Sequence, residues 1–461
     1  MRSASLALTL LLTSIALAAE KPNIVLILSD DQGWADVGYH GGTIKTPALD
    51  RLAADGARLE QFYVQPVCSP TRAAYMTGRY PIRYGLQVSV IKPWEQFGLS
   101  LDERILPAVL KEAGYETAIV GKWHLGFYKP DYLPTRRGFD HQYGHYNGQI
   151  DYFTHFRDGG LDWHRQDKAL DEEGYSTTLI GDEACRRIRE RDKSKPLFLY
   201  VPFNAVHSPH QVPESYTAPY ESMTGVRQTY AGMLAAMDEA IGKVQATLDA
   251  EKMTDNTLVI FSSDNGGPAP GKITDNGPLR GAKGSVYEGG VRVPATATWP
   301  GKIKAGSIVN EPLHAVDWFP TLVKLVGASP DQKLPLDGRD AWPTITAGAK
   351  SPHQEILLNA APTGGALRVG DWKIVINGSR GVADEVEGAK KKKNAGPKVD
   401  SVELFNIAAD PYEKNDLSTA EASKLAELRA RYDAIAAEAV KPLATREPEN
   451  FKAPKVWGEA E

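Results

Sequence analysis

The sequence predicts an α/β fold with a large, mostly parallel central sheet flanked by helices, followed by a smaller C-terminal subdomain built on an antiparallel sheet. Three observations predict it. Four apolar runs rich in β-branched residues, at residues 23–28, 117–120, 197–201 and 257–261, have the continuous hydrophobicity of strands buried on both faces. Helix-like stretches at residues 47–56, 106–113, 178–191 and 226–248 lie between or beside them, and strands alternating with helices build parallel sheets. After about residue 349 the pattern changes: residues 366–369 and 372–376 flank Gly370-Asp371 as a hairpin.

Taken in order, each of the four strands delivers polar groups just past its C-terminal end. The first ends in Ser29-Asp30-Asp31, the second in Gly121-Lys122-Trp123-His124, the third in Asn204-Ala205-Val206-His207 and the fourth in Ser262-Ser263-Asp264-Asn265. Ligands of open parallel sheets bind beyond the carboxyl ends of the strands, so the four groups are expected on one rim. Residues 266–290 are Gly-rich and read as a long loop, and loops of that length in compact domains are often functional. Residues 312–326 read as helix, and a boundary falls near residues 347–352. Residues 20–348 are then the α/β domain, and residues 349–461 the smaller one, with a further strand at 402–405 and an amphipathic helix at 421–439. The basic run Lys390 to Lys393 reads as a solvated loop.

The chain of 461 residues is long enough for one large core and a small second domain. Its net charge of −5 gives no electrostatic case for nucleic-acid binding. Residues 1–19 read as a signal peptide, with Arg2, an apolar run from Leu6 to Leu17 and small residues at Ala16-Leu17-Ala18. That run is shorter than the roughly 20 residues a spanning helix needs, so no stable membrane insertion is expected and the protein is expected to be secreted or periplasmic. There are two cysteines, Cys68 and Cys185. An oxidising compartment permits a bridge between them, whereas modification of Cys68 leaves Cys185 as a free packing thiol.

Cys68-Ser69-Pro70-Thr71-Arg72, running on into Ala73-Ala74-Tyr75-Met76-Thr77-Gly78-Arg79, is the stretch richest in chemistry. Ser69 is a good helix N-cap and Pro70 suits the first helical position. Arg72 then lies one turn beyond Cys68 on the same face. A group on Cys68 would sit at the positive end of a helix beside a guanidinium, which suits a tetrahedral oxyanion such as sulfate or phosphate.

Asp30, Asp31, Asp264 and Asn265 offer only oxygen ligands, and hard oxygen donors in that number select Ca²⁺ or Mg²⁺, with Ca²⁺ the better match to several carboxylates without a nucleotide. Lys122 and His124 are two apart in a segment expected to be extended, so both would point the same way. With His207, Lys283 and Arg72 they would balance the carboxylates and clamp a sulfate group.

These strings resemble the type I sulfatases, whose motif cysteine is oxidised to Cα-formylglycine. The resemblance runs from about Asn23 to beyond Asp416 and includes Gly121-Lys122-Trp123-His124-Leu125-Gly126, His207-Ser208-Pro209, Ser263-Asp264-Asn265-Gly266-Gly267 and Leu279-Arg280-Gly281-Ala282-Lys283. It implies an alkaline-phosphatase/sulfatase-like fold and a Ca²⁺ ion held by Asp30, Asp31, Asp264, Asn265 and modified Cys68. It also implies a sulfated saccharide substrate and a maturation enzyme acting on Cys68. Catalytic roles would fall to Cys68, Arg72, Lys122, His124, His207 and Lys283. The first holds the aldehyde hydrate that attacks sulfur, with Asp264 assisting, and Arg72 and Lys122 support it and the sulfate. His124 takes the proton that regenerates the aldehyde, and His207 and Lys283 bind sulfate and assist the departing alcohol. Within the family, Asp151-Tyr152-Phe153-Thr154-His155, residues 211–216, Tyr230-Ala231-Gly232-Met233 with Met237-Asp238-Glu239-Ala240, and Pro335-Leu336-Asp337-Gly338 resemble arylsulfatase B, the N-acetylgalactosamine-4-sulfatase. Its low cysteine content and His210, where an apolar residue is expected, set the chain apart from the lysosomal relatives. Phosphate or phosphonate ester hydrolysis on the same apparatus, and polyanion binding without catalysis, are the competing readings.

Overall fold

The alternation within the first strand determines the architecture. In Asn23–Ser29, Ile24, Leu26 and Leu28 face one apolar core while Val25 and Ile27 face another, so the strand is buried on both sides. It lies near the middle of a ten-stranded sheet in a computed structural model that describes residues 21–380 and 401–459. The signal-peptide expectation and the basic run at Lys390 to Lys393 fall outside the described residues. Asn23–Ser29 pairs in parallel with Leu197–Pro202 on one side and Thr257–Ser263 on the other; Leu197–Pro202 pairs with Glu116–Lys122, and that strand with His141–His145. Five parallel strands thus form the centre, with their carboxyl ends at one edge. Antiparallel pieces extend the flanks, with Ala295–Thr298 beside Thr257–Ser263 and His164–Arg165 beside His141–His145.

Helices cover both faces. Pro47–Asp55, Ser176–Glu190 and Val226–Ala250 pack on the Val25 side, and Cys68–Thr77, Leu106–Glu112 and Trp318–Leu325 on the Ile24 side. Cys185 is buried in the first layer as a free thiol, and Cys68 is likewise unbridged. The helix expected over 312–326 is shorter, because Leu313–His314 adds a strand to Phe62–Tyr63 first. A reciprocal cap between His314 and Asp317 then starts the helical turns, and the side chain of His314 is engaged by the backbone N–H of Val316.

Beyond the Trp342–Ala347 helix the chain forms an antiparallel meander of Glu355–Ala361, Gly364–Val369, Trp372–Ile376 and Val402–Asn406, backed by the Ala422–Ala436 helix. The sheet docks through a buried ionic knot. Lys373 Nζ lies 2.8 Å from both Glu288 Oε1 and Glu413 Oε1, the Tyr63 hydroxyl donates to Glu288 Oε2 at 2.8 Å, and the Glu288 amide donates to Glu413 Oε2 at 2.7 Å. The last part of the chain then returns to the α/β domain. The amides of Val440 and Leu443 donate to the Ile82 and Gly85 carbonyls, Thr445 bonds both oxygens of Glu95, and Trp457 packs edge-on against Phe127.

Of the two carboxylates, Arg292 serves Glu288 alone, 3.6 Å from its Oε2, so Glu413 has Lys373 as its one ion-pair partner among the described residues and shares it. Burial, reinforced by Glu288 and opposed by Lys373, pushes Glu413 up to about 7. A carboxyl raised on folding contributes stability that is fully present below its unfolded value of 4.5 and is lost as pH rises through about 7. Glu413→Gln should therefore melt about 2 °C or more above the wild type near pH 8 and level with it near pH 5, as read by calorimetry. Lys373→Ala, which takes the ammonium from both buried carboxylates and leaves Glu288 only Arg292, should cost about 3–5 kcal/mol in denaturant unfolding.

Candidate functional site

The carboxyl ends of Asn23–Ser29, Glu116–Lys122, Leu197–Pro202 and Thr257–Ser263 do converge, and the first turn of Cys68–Thr77 meets them there. The helix begins at Cys68 itself, with Val67 at the capping position, so Ser69 is not the cap the sequence suggested. Its hydroxyl is used across the fold instead, donating to the His124 carbonyl at 2.9 Å and accepting from the Ile91 amide at 3.1 Å. This ties the helix to the segment after the second strand and to the loop that walls the site.

One turn on, Arg72 reaches into the cluster. Its Nε and Nη2 donate to Asp264 Oδ2 at 3.0 and 2.8 Å, its Nη1 to the Lys122 carbonyl at 3.0 Å, and Nη2 lies 3.5 Å from Asp30 Oδ2. Lys122 Nζ is paired with the same Asp30 oxygen, and Cys68 Sγ lies 3.4 Å from Asp30 Oδ1. Asp31, held in the left-handed region at φ 64°, receives Lys283 Nζ on both oxygens at 2.9 and 3.0 Å and Asn265 Nδ2 at 2.8 Å. Its amide donates to Asp264 Oδ1 at 3.3 Å. Lys283, carried on the loop after the fourth strand, also touches His207 Nε2 at 3.1 Å.

Lys122 and His124 do not share one extended face. The strand ends at Lys122, and His124 takes φ 57°, which turns its ring to the Ile91 carbonyl, 3.0 Å from Nε2. With Nε2 donating, Nδ1 is left as a buried acceptor with no protein partner. Burial, and then the charges of Lys122 and Arg72, hold His124 well below the ordinary range and neutral. His207 is lowered to about 3 by burial and then Lys283. Its Nδ1 lies 2.6 Å from the Ser208 carbonyl, so Nε2 is an acceptor facing an ammonium. Burial works hardest against the charges of Lys283 and Asp31, but their neighbours together outweigh it: Asp31, with Cys68 and Asp30, holds Lys283 well above its ordinary value, and Lys283, with His207 and Asn265, holds Asp31 well below. The Cys68 thiol is pushed well up by burial, then by Asp264 and Asp30, and stays protonated.

Ligand atoms of Asp30, Asp31, Cys68 and His207 lie within 4.8 Å of one another. His207 stands in this group unexpectedly, and Asp264, engaged by Arg72, lies outside it. Beside Asp31, Asn265 Oδ1 is a buried acceptor with no partner, as an oxygen would be that awaits a cation. Oxygens of this kind are the type that suits a hard divalent ion.

A cleft of about 560 Å³ opens over this cluster, walled by Lys92, Trp94, Gln149, Arg157 and His210. The sequence pointed to His210 by residue, and Gln149 and Arg157 lie in residues 144–163, a loop expected to supply subsite walls. The adjacent Lys92-Pro93-Trp94, basic next to aromatic, was the available signal. Asp162 gave none: it accepts from the amides of Tyr146 and Asn147 at 2.9 and 2.8 Å, fixing a loop that lies 15 residues away or more. That loop passes so close to His124 that a Cβ on Gly148 would sit 2.6 Å from Cε1 of the ring. Tyr152 and Gln211 bind the third strand's loop to the same wall: the Tyr152 hydroxyl lies 2.7 Å from the His207 carbonyl, and Gln211 Oε1 accepts from the Tyr152 amide at 2.9 Å.

Comparison with known proteins bears on this cluster. The sulfatase family model matches residues 22–328. Arylsulfatase J of Mus musculus is 42% identical over 439 residues, 87% of this chain and 73% of that protein. N-acetylgalactosamine-6-sulfatase of Mus musculus is 35% identical over 395 residues, 79% of this chain and 75% of that protein. The crystal structure of Ps i-CgsB in complex with k-i-k-neocarrahexaose matches with a TM-score of 0.82 at 32% identity, covering 94% of this chain and 95% of that one. With a family match over most of the chain, a relative at this identity and a shared fold, the chain belongs to the sulfatase family and is a sulfuric ester hydrolase.

Proposed function

We propose that the protein is an exported, Ca²⁺-dependent sulfatase of sulfated carbohydrates, with Cys68 matured to formylglycine by a separate enzyme. The observation that carries the reading is the placement of Cys68 Sγ 3.4 Å from Asp30 Oδ1 in a cluster that also holds Arg72, Lys122 and Lys283. An unmodified thiol held protonated there is a weak nucleophile, whereas the hydrate of an aldehyde at the same position supplies a hard oxygen nucleophile. Asp30, Asp31, Asp264, Asn265 and the matured residue 68 would hold Ca²⁺, which would polarise the sulfate oxygens and the attacking hydroxyl. Three carboxylates against Arg72, Lys122 and Lys283 leave the cluster close to neutral, so a divalent ion makes it the positive site that an anionic ester requires.

The chain's own residues divide the proton work. His124 offers an open Nδ1 and takes a proton there, and its Nε2 bond to the Ile91 carbonyl holds the ring in place. Lys283 holds the proton that the departing alcohol needs, and His207 orients the ammonium through Nε2. Arg72 opposes the burial and the Asp30 charge that push Asp264 up, and it holds that carboxylate in register. The wall strings that resemble arylsulfatase B, together with relatives named N-acetylgalactosamine-6-sulfatase, support a galactose or N-acetylgalactosamine unit as the substrate, with the 4-sulfate as the proposed position. No described helix is long and apolar enough to cross a membrane.

Enzyme produced with a maturation factor should release sulfate from 4-O-sulfated N-acetylgalactosamine saccharides faster than from the 6-O-sulfated isomers, as read by ion chromatography. Equal or reversed rates reject the sugar position. Cys68→Ala should lower sulfate release by about 1,000-fold or more with an unchanged melting profile, and the mass of the peptide around position 68 should show an aldehyde in the active enzyme. Dialysis against a chelator should abolish turnover and lower the melting temperature, with Ca²⁺ restoring both better than Mg²⁺.

A further inference from the structure

The part of the cleft wall that carries His207 and Lys283 also presents His210. Its imidazole is half-buried and makes no hydrogen bond or ion pair with any described residue; its neighbour is the Tyr230 ring, 6.4 Å away between centres and inclined by 56°. The polar side chains beside it are engaged with one another. Lys283 holds Asp31 and touches His207 Nε2 at 3.1 Å, and Ser208 Oγ lies 3.4 Å from His207 Nδ1. Burial holds His210 below its ordinary value against the opposing charge of Asp31, so near neutral pH the ring is uncharged and offers one N–H donor and one lone-pair acceptor.

The surroundings of the ring are fixed. On its C-terminal side Gln211 Nε2 donates to Asp151 Oδ2 at 2.7 Å. Behind it, the hydroxyl of the buried Tyr230 donates to Asp36 Oδ2 at 2.9 Å and accepts from the Gly33 amide at 3.4 Å. Arg227 pairs with Asp36 Oδ1 at 2.7 Å, lies over the Tyr230 ring at 5.3 Å and donates to the carbonyl of Ile273, itself a wall residue, at 3.0 Å. A polar group held in place, facing the cleft and lacking a protein partner, directs its hydrogen-bonding capacity at what the cleft binds. Packing on Tyr230 does not itself call for an imidazole, since an apolar residue is expected at this position from the resemblance to the lysosomal relatives.

We propose that His210 is a specificity-determining residue that hydrogen-bonds a hydroxyl of the sulfated sugar neighbouring the ester that is cleaved. Lys283 holds the proton for the departing alcohol, so the sugar that leaves lies on this side of the cleft, against the segment that runs from His207 to His210. A sugar hydroxyl both donates and accepts, which matches an uncharged imidazole, whereas a second sulfate would only accept. The inference rests on the sulfated-carbohydrate reading above and specifies which part of the sugar is read.

A cycle that pairs variants of the protein with deoxy sugars tests it. The substrates are a disaccharide ending in 4-O-sulfated N-acetylgalactosamine and its counterparts lacking the 3- or the 6-hydroxyl of that sugar; where the 6-O-sulfated isomer is the faster substrate, that disaccharide and its 4-deoxy counterpart take their place. His210→Phe keeps a flat ring against Tyr230 and removes both nitrogens. It should lower kcat/KM for the fully hydroxylated sugar about three- to tenfold. One deoxy sugar should lose a similar factor with the wild type and nothing further with the variant. His210→Gln, which both donates and accepts, should recover part of the loss, and His210→Leu should repeat the Phe result with a smaller side chain. Melting curves matched to the wild type show that the variants fold. Unchanged kcat/KM in the Phe and Leu variants, or losses that multiply for every deoxy sugar, overturn the proposal. Wild-type enzyme that releases sulfate from neither sulfated disaccharide overturns the carbohydrate reading and the proposal with it, whereas sulfate release without the non-additive pattern overturns the proposal alone.

Discussion

The guanidinium of Arg72 is the constraint on which the rest of this site depends. It is fully buried, and it reaches Asp264 at the end of one strand, Asp30 at the end of the next and the backbone carbonyl of Lys122 on a third. A charge taken out of water costs several kcal/mol unless good geometry returns it, and Arg72 meets that condition with three donor positions in use. The consequence is positional: the helix that presents Cys68 cannot slide or rotate against the sheet without unpairing a buried cation. The position of residue 68 and the positions of the carboxylates are therefore one structural variable.

Around that anchor the site sorts its groups by charge state. Lys283 and Asp31 stay ionised because each is the other's partner, while His124 and His207 are kept neutral by burial and neighbouring cations. A neutral imidazole with an open nitrogen can take a proton, and a buried ammonium can give one, so opposite tasks fall to different residues in one small volume. The same logic raises the Cys68 thiol: burial, and then the Asp264 and Asp30 carboxylates, outweigh Lys122 and Lys283 in opposing a thiolate.

Much of this was legible in the chain. The four strand runs were visible because strands buried on both faces lack polar interruption, and the residues after them converged because parallel strands end at one edge. The candidates at 30, 31, 68, 72, 122, 124, 207, 264, 265 and 283 meet in the structure through that geometry. What escaped was of two kinds. Short outlying strands such as Leu313–His314 and His164–Arg165 are two residues long, too short for any periodicity to register. Local backbone turns also escaped: the left-handed conformations of Asp31 and His124 redirect side chains that an extended reading would align, and nothing in the residue types announces them. The cleft walls were opaque for a further reason. Arg157 and Trp94 are positioned by Trp457 and Thr445, some 300 residues further along, and no local pattern encodes that separation.

The returning stretch also sets an order of events during synthesis. Every group from Asp30 to Lys283 has left the ribosome long before Thr445 and Trp457 emerge, so the catalytic cluster can assemble on a nascent chain whose cleft still lacks its rear support. The cleft wall is thus completed by a segment translated long after the groups beneath it. A chain ending short of Trp457 would keep its buried cluster and lose the prop behind Arg157, leaving intact reactive groups under a slack entrance.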